Sequence, residues 1–193
     1  MAAELVAGRP TLAVFASDLG PGDPERASIM SQAGTLLARR GAAIVCLAEK
    51  DAIAVPLITS ARAAGGVVRI IADDELKVPA ALSGVPIERL GERAARVARM
   101  AELANVFVGL PGSLASASAL YSSWVSAGGG SGGKPVVLLN RNRAFEVLRG
   151  FSADVLSHSL KRHDRYVLFA DSVEDLWNKV HWVLGETGHK VAG

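Results

Sequence analysis

The chain has 193 residues, half of them hydrophobic, with a formal net charge of +2 and a single cysteine. This length and composition fit one folded domain with a sizeable core, and they exclude disordered, collagen-like and disulfide-stabilised classes. The small net charge argues against a nucleic-acid or anionic-membrane partner. Residues 1–10 lack the basic start and apolar run of a signal peptide, and the uncharged stretch 103–133 is broken by Pro111 and a glycine run. We therefore expect a cytoplasmic protein with no membrane span.

Short apolar runs alternate with helical patterns along the first half of the chain. Asp23 followed by Pro24 predicts the start of the first helix, and Gly41 predicts its end. Residues 73–86 contain two prolines and predict an irregular segment. The predicted strands are 11–16, 42–47, 67–71 and 106–110, and the later predicted helices of this half are 51–64 and 91–104.

The second half continues the same alternation. A helix is predicted over 114–126, followed by a glycine-rich loop over 128–133, a strand over 135–139, one or two helices over 143–160 and a strand over 166–169. Ser172 begins a final helix. The predicted core-facing residues are Leu114, Ala117, Leu120, Tyr121 and Trp124 in the first of these helices, and Val173, Leu176, Trp177, Val180 and Leu184 in the last.

Uninterrupted apolar strands that alternate with helices are typical of strands buried on both faces. This pattern predicts an α/β fold with a doubly wound, mostly parallel sheet and helices on both faces. We predict a single domain over 11–186, with tails at 1–10 and 187–193. In such sheets ligands bind beyond the carboxyl ends of the strands, so the strand-to-helix turns are the places to search for a site.

The turn after the fourth predicted strand has the strongest ligand-binding signal. Gly112 permits close approach of the backbone, and Ser113 and Ser116 place two hydroxyls at the start of the next helix. Free N–H groups, the positive end of the helix dipole and hydroxyls together suit a phosphate. An equally good interpretation is an ordinary serine N-cap followed by small residues that allow helix packing.

The preceding helix contributes arginines, whose guanidinium groups match a phosphate or a carboxylate. Arg89, Arg93 and Arg96 are spaced by four and three, which places them on one side if the helix extends that far back. For the arginines other than Arg96, we favour a structural interpretation in which they form ion pairs on a solvent-exposed helix face. The residues concerned are Arg89, Arg93 and Arg99, with Glu88, Glu92 and Glu102 as partners.

The remaining candidates point to structural roles. Cys46 ends an apolar strand and is predicted to be an inert core thiol. The four histidines show no metal-ligand spacing, so no metal site and no cofactor are predicted. The glycine clusters at 20–24 and 128–133 fit neither a dinucleotide fingerprint nor a P-loop, and the tryptophans Trp124, Trp177 and Trp182 are predicted to lie in the core.

Carboxylates are missing near the predicted site. Residues 103–145 contain no aspartate or glutamate, so a catalytic carboxylate there would have to come from elsewhere, for example Asp18, Glu49 or Asp51.

Several segments resemble the Lonely Guy (LOG) family, long labelled lysine decarboxylase-like. The stretch from Arg96 to Gly112 is similar to the family's RKxxMxxxADAFIxLPGG segment, and residues 134–140 are similar to its KPVxLLN strand. Residues 63–66 resemble the end of its second crossover helix, and residues 13–17 resemble its VFxGS strand. The resemblance runs in unbroken order over roughly 11–185, and the matched strand ends add Ser17 and Asn140 to the predicted ligand-binding residues.

The resemblance implies a Rossmann-like homodimer that binds nucleoside monophosphates. Active members of the family cleave the N-glycosidic bond of a nucleoside 5′-monophosphate and release a free base and ribose 5-phosphate. Their PGGxGTxxE motif supplies phosphate-binding backbone and a catalytic glutamate, the arginine of RKxxM assists, and a second glycine-rich turn also holds the nucleotide.

This chain departs from the family pattern where the chemistry occurs. The glutamate position is Ala119, the lysine beside Arg96 is replaced by Val97, and the second glycine-rich turn contains Glu49 where a phosphate would lie. A methyl group cannot transfer a proton, and losing a catalytic acid or base typically costs about 10²–10⁴-fold in rate. The sequence therefore predicts no catalytic residue. It predicts binding of a nucleoside monophosphate or a similar small anion by Arg96, Gly112, Ser113, Ser116, Ser17 and Asn140.

Two other interpretations stay open from the sequence. The first is an enzyme whose chemistry has moved to Asp18 or Glu49, acting as a phosphoribohydrolase on a related substrate. The second is a structural or interaction homodimer that keeps the fold but no longer binds a ligand. The absence of the glycines of the second turn favours this interpretation.

Overall fold

The computed structural model describes residues 8–17, 24–50, 52–128, 133–151, 153–154 and 166–188. Within these ranges seven strands form one sheet in the order β4-β3-β2-β1-β5-β6-β7, and every neighbouring pair is parallel. The predicted doubly wound α/β class is confirmed. The strands are β1 (Thr11–Phe15), β2 (Ala43–Ala48), β3 (Val67–Ala72), β4 (Ile87–Arg89), β5 (Val106–Gly109), β6 (Val136–Leu139) and β7 (Val167–Ala170).

Helices cover both faces of the sheet, as the apolar strands require. One core cluster joins the sheet to α1, α2 and α6, through side chains such as Ile29, Leu57 and Val180. A second cluster joins the other face to α3, α4 and the start of α5, through Met100, Leu120 and Phe145. The helices are α1 (Pro24–Arg39), α2 (Val55–Ala63), α3 (Arg93–Leu103), α4 (Leu114–Ser126), α5 (Glu146–Phe151) and α6 (Val173–Glu186).

The strand order reverses between β1 and β5, which are neighbours in space although far apart in sequence. Chain connections leave these two strands in opposite directions, and this opens a crevice at their carboxyl ends. The amide N–H of Leu110 donates to the carbonyl of Phe15 at 3.0 Å, so the pairing continues to the very end of both strands. The turns that contain Ser17 and Gly112 therefore begin side by side.

One strand is missing from the prediction, and two predicted helix starts are wrong. The segment 73–86 is followed by a seventh strand, β4, which was missed because it is a three-residue edge strand containing the charged pair Glu88 and Arg89. Because α3 begins only at Arg93, Arg89 lies on this strand and not on the helix. The second helix, predicted from residue 51, begins at Val55, where Pro56 occupies the first turn.

The predicted core-facing residues of α4 are also partly wrong. Leu114 is 87% exposed and Tyr121 is 55% exposed, whereas Ser116, Ala119 and Ser123 are buried. The helix turns its small residues inward because α3 packs directly against it. Trp124 and Trp177 are core residues as predicted, but Trp182 is 45% exposed.

Some predictions fall outside the described residues, namely those on Asp18, Asp23, Asp51, the glycines at 20–22 and 129–132, the helical stretch beyond 154 and most of both tails. Across the part of the chain that the structure describes, no helix is long and apolar enough to cross a membrane. The same residues contain no cluster of histidine, cysteine or carboxylate side chains that could hold a metal ion.

Candidate functional site

A cavity of about 660 Å³ lies on the face of the sheet covered by α4 and α5. Its floor is formed by strands β5, β6 and β7, through residues such as Gly109, Leu138 and Val167. One wall is α4 together with the turn before it, and the other wall includes Phe145 and Leu148. Cavities of 300–1,000 Å³ are typical of small-molecule sites, so this one is large enough to hold a ligand.

The first turn of α4 forms one end of the cavity. Ser113 is the N-cap, and its hydroxyl accepts a hydrogen bond from the amide N–H of Ser116 at 3.2 Å. The hydroxyl of Ser116 donates to the carbonyl of Ser113 at 2.8 Å. Both serines line the cavity. The predicted capping role of Ser113 is therefore present in the structure, and both hydroxyls already have protein partners.

Gly112 brings this turn close to the end of β1. A Cβ atom at position 112 would lie 2.6 Å from the hydroxyl of Ser116 and 3.1 Å from the backbone nitrogen of Ser17. Only a residue without a side chain fits there unstrained. The structure thus brings together Ser17, Gly112, Ser113 and Ser116, four of the six predicted ligand-binding residues.

Asn140 is held by the protein at both ends of its amide. Its Nδ2 donates to Glu146 at 2.8 Å, and its Oδ1 accepts from the amide N–H of Phe145 at 2.7 Å. These hydrogen bonds shape the turn between β6 and α5 and so position Phe145, which lines the cavity. Asn140 itself does not line the cavity.

Arg96 is separated from this cavity and is 5% exposed. One terminal nitrogen lies 3.0 Å from the Asp73 carboxylate, and the other lies 3.2 Å from the Glu49 carboxylate. The guanidinium also donates to the carbonyls of Leu90 and Gly91 at 2.8 and 2.6 Å. Two carboxylates compensate its charge, so an incoming anion would have to displace a protein group. Binding of a ligand by Arg96 stays a prediction.

The other arginines of this region are paired with the protein. Arg93 lies 3.4 Å from Glu49, and Arg89 donates to backbone carbonyls of the segment after β3. Arg99 bonds to Glu102 and Glu88, and these hydrogen bonds raise the pKa of its guanidinium. The expected pairing of Arg99 with Glu88 and Glu102 is confirmed.

Groups that transfer protons are scarce around the cavity. Ala119, which the sequence resemblance aligns with the LOG family's glutamate, is 1% exposed and packs in the core. Arg26 and Tyr121 are the titratable side chains among the described residues that line the cavity. Neither is a group that ordinarily acts as a general base at neutral pH.

Sequence reasoning missed two parts of this site. No local pattern marks Arg26, because it reaches the cavity from the first turn of α1, a helix that packs on the other face of the sheet. The apolar walls were interpreted simply as core, since a hydrophobic strand gives no sign that part of its surface faces a cavity. Cys46, by contrast, is the predicted inert thiol, and complete burial raises its pKa to about 12.

The fold and site together define a Rossmann-like α/β protein with a cavity next to the switch point of its sheet. No protein-family model matches the sequence, and no curated protein matches it. Solved structures do match. The molybdenum cofactor carrier protein of Chlamydomonas reinhardtii is 18% identical, with a TM-score of 0.68 over 92% of this chain and 99% of that one.

Two further structures are similar at the same level. The structural-genomics target TM1055 is 22% identical, with a TM-score of 0.65 over 90% of this chain and 99% of the other. The molybdenum cofactor binding protein of the phototrophic bacterium Rippkaea orientalis is 19% identical, with a TM-score of 0.65 over 91% and 98%. At these identities the likeness shows a shared fold, and the Rossmann-like fold that the LOG resemblance implied is confirmed.

Proposed function

We propose that this protein is a divergent LOG-like protein that binds a small anionic ligand in the cavity beside α4 and does not hydrolyse it. The observation that carries the proposal is a cavity of ligand size whose described lining has hydroxyls and an arginine but no carboxylate, imidazole, thiol or amine. A nucleoside monophosphate is one candidate ligand, by resemblance to the family. The structurally similar proteins named for the molybdenum cofactor make that cofactor a second candidate.

The anionic group of the ligand is placed by Arg26 and the first turn of α4. Arg26 supplies positive charge from the first turn of α1, and Gly112, Ser113 and Ser116 supply backbone and hydroxyls at the opposite wall. Charge-assisted hydrogen bonds of this kind contribute about 1.5–3 kcal/mol each. Ser17 and Asn140 support the site from behind it in this proposal.

Ligand-induced stabilisation tests the proposal. We expect a compound from a panel of nucleoside monophosphates and molybdopterin to raise the melting temperature, because a ligand at 100 times its Kd adds about 2.7 kcal/mol to the free energy of unfolding. Arg26→Gln should weaken binding about tenfold or more, whereas Arg39→Gln, at the exposed far end of the same helix, should not. No stabilisation by any of these anions would contradict the proposal.

An assay for free base separates this proposal from the enzymatic alternative. Glu49, one of the two relocated carboxylates considered from the sequence, is paired with Arg93 and Arg96 and does not line the cavity. Asp18 lies outside the described residues. We expect no release of base from any nucleoside monophosphate, and turnover at ordinary enzymatic rates would favour the alternative.

We propose in addition that the protein is a homodimer. Three apolar side chains on α4, Leu114, Tyr121 and Val125, are more than half exposed, and α4 bears no charged residue. An uncharged apolar helix face is self-complementary, as an interface between two identical subunits requires. This surface is called the α4 face below.

A further inference from the structure

The first turn of α1 and the turn after β6 meet at the carboxyl edge of the sheet. One carboxylate joins them, because Glu25 bonds to two consecutive residues of the turn after β6. Its Oε2 accepts a hydrogen bond from Nδ2 of Asn142 at 2.9 Å, and its Oε1 lies 3.3 Å from Nε of Arg141. Glu25 and Asn142 are 117 positions apart, and β5 lies between the strands that precede the two turns. We call this contact the Glu25 clamp.

Residues next to both ends of the Glu25 clamp line the cavity. On one side is Arg26, directly after Glu25, and on the other side are Ala144 and Phe145, shortly after Asn142. Helix α1 packs on the opposite face of the sheet from the cavity, and Arg26 is the one described residue of that helix in the lining. The clamp therefore connects two walls of the cavity that belong to different layers of the fold.

The turn after β6 has a backbone conformation that needs support. Asn142 and Arg143 have φ angles of 53° and 60°, in the left-handed region that residues with a side chain seldom adopt. Such a conformation persists where surrounding contacts hold it. Within the turn, the amide N–H of Phe145 donates to Oδ1 of Asn140 at 2.7 Å. The Glu25 clamp adds a contact from another part of the chain, at the residue where the left-handed stretch begins.

The Glu25 clamp is exposed, so its effect on global stability is small. The side chains of Glu25 and Arg141 are 45% and 41% exposed, and exposed ion pairs contribute little to the free energy of unfolding. The effect of the clamp is local, because it fixes one turn relative to one helix. Glu25 itself does not line the cavity, so it acts on the walls and not on a ligand directly.

We infer that Glu25 is a positioning residue of the binding site, which holds the wall formed by Ala144 and Phe145 in place relative to Arg26. The inference rests on the proposed ligand-binding function and adds to it a residue outside the cavity lining. Binding sites depend on such supporting contacts, because walls that shift lose the geometry that a ligand requires.

Amide hydrogen exchange tests the Glu25 clamp without a ligand. In Glu25→Ala we expect the amides of Ala144 and Phe145 to exchange about fivefold faster or more, because the turn is no longer held from α1. The amide of Phe107 in the buried strand β5 should keep its rate. The matched control is Glu174→Ala, which removes an exposed glutamate from the first turn of α6 and should change none of these rates.

The exchange rates separate positioning from a general structural role. Unchanged exchange at Ala144 and Phe145 in Glu25→Ala would overturn the inference. Equal acceleration at Phe107 would show that Glu25 supports the whole fold, and it would also overturn the positioning role. Glu25→Gln keeps an acceptor for Asn142 but loses the charge opposite the arginine beside it, so its rates should lie between those of the wild type and Glu25→Ala.

Titration with AMP and with molybdopterin connects the Glu25 clamp to binding. Whichever of the two compounds binds the wild type should bind Glu25→Ala about fivefold more weakly and Glu174→Ala equally well. Equal binding by the wild type and Glu25→Ala, with faster exchange at the turn, would overturn the inference while the proposed function stands. Binding of neither compound to the wild type would contradict the proposed function, whereas the exchange rates would still decide whether the clamp holds the turn.

Discussion

Two regions lie at the carboxyl edge of the sheet, but one contains ion-paired side chains and the other contains a largely apolar cavity. Beyond β2 and β3, the buried Arg96 is ion-paired with Glu49 and Asp73, whose carboxylates are partly exposed. Beyond β5 and β6, apolar walls surround a cavity with Arg26 and two serines at one end. The sequence predicted that Arg96, in the first region, binds the ligand, yet its charge is paired within the protein. Space for a ligand lies in the second region.

This contrast shows that the resemblance of a segment to a known motif does not fix what its arginine contacts. The carboxylate of Glu49, directly after β2, accepts a hydrogen bond from the guanidinium that a substrate anion would otherwise contact. We therefore propose that Arg96 is a structural residue that joins the ends of β2 and β3 to the start of α3. Two variants test this division, and a third variant tests the proposed dimer interface.

Arg96→Ala should have the largest effect on stability. Removing one partner of a buried ion pair costs about 3–5 kcal/mol, and we expect about 3 kcal/mol because Glu49 and Asp73 keep some contact with water. Urea unfolding measures the change. Arg93→Ala is the matched control, since Arg93 shares Glu49 but is 48% exposed, and it should cost about 0–1 kcal/mol.

Ligand binding in the same variants distinguishes structure from recognition. The folded fraction of Arg96→Ala should bind the ligand with nearly wild-type affinity. A variant that keeps wild-type stability but loses the ligand would reverse the assignment of the two regions.

Gly112→Ala should have an intermediate effect on stability, and it should disturb the cavity and leave the Arg96 region unchanged. The new Cβ would meet the Ser116 hydroxyl at 2.6 Å and the Ser17 backbone nitrogen at 3.1 Å, so the turn must shift. Forcing an extra methyl into a packed site costs about 1–3 kcal/mol, and the displaced turn should also weaken ligand binding.

Thermal unfolding and titration of Gly112→Ala measure both quantities. Gly185→Ala is the control, because the added methyl meets open space in the last turn of α6 and should stabilise the helix by about 0.5 kcal/mol or less. Equal behaviour of the two variants would show that the close approach at Gly112 has no energetic consequence.

Val125→Asp should have the smallest effect on folding and a specific effect on assembly. Val125 lies on the α4 face but does not line the cavity, so a charge there should separate the subunits with about 0.5 kcal/mol or less change in subunit stability. Sedimentation velocity measures the oligomeric state. Trp182→Asp, on an exposed residue of α6 on the opposite side of the sheet, should leave the dimer intact, and a monomeric wild-type protein would contradict the interface.

Much of the fold was predictable, and the site was predictable in part. Strands β1, β2, β3, β5 and β6 were found as apolar runs because both of their faces are buried, whereas β4 has a charged pair at the sheet edge and was invisible to that criterion. The turn at Gly112 was identified because a glycine and a serine N-cap leave a local signature. Arg26 was missed because no local pattern connects α1 with the turn before α4.

The alternation of strands and helices, the parallel sheet and the turns that could bind a ligand were all predictable from the sequence. These features depend on local periodicity and on capping residues. Contacts between distant segments fix which groups each charged side chain meets. Arg96 meets Glu49 across 47 positions of the chain, and Arg26 reaches the cavity from the opposite layer of helices. Ion pairs and cavity walls form between segments that are distant in the sequence, so no short stretch of residues predicts them.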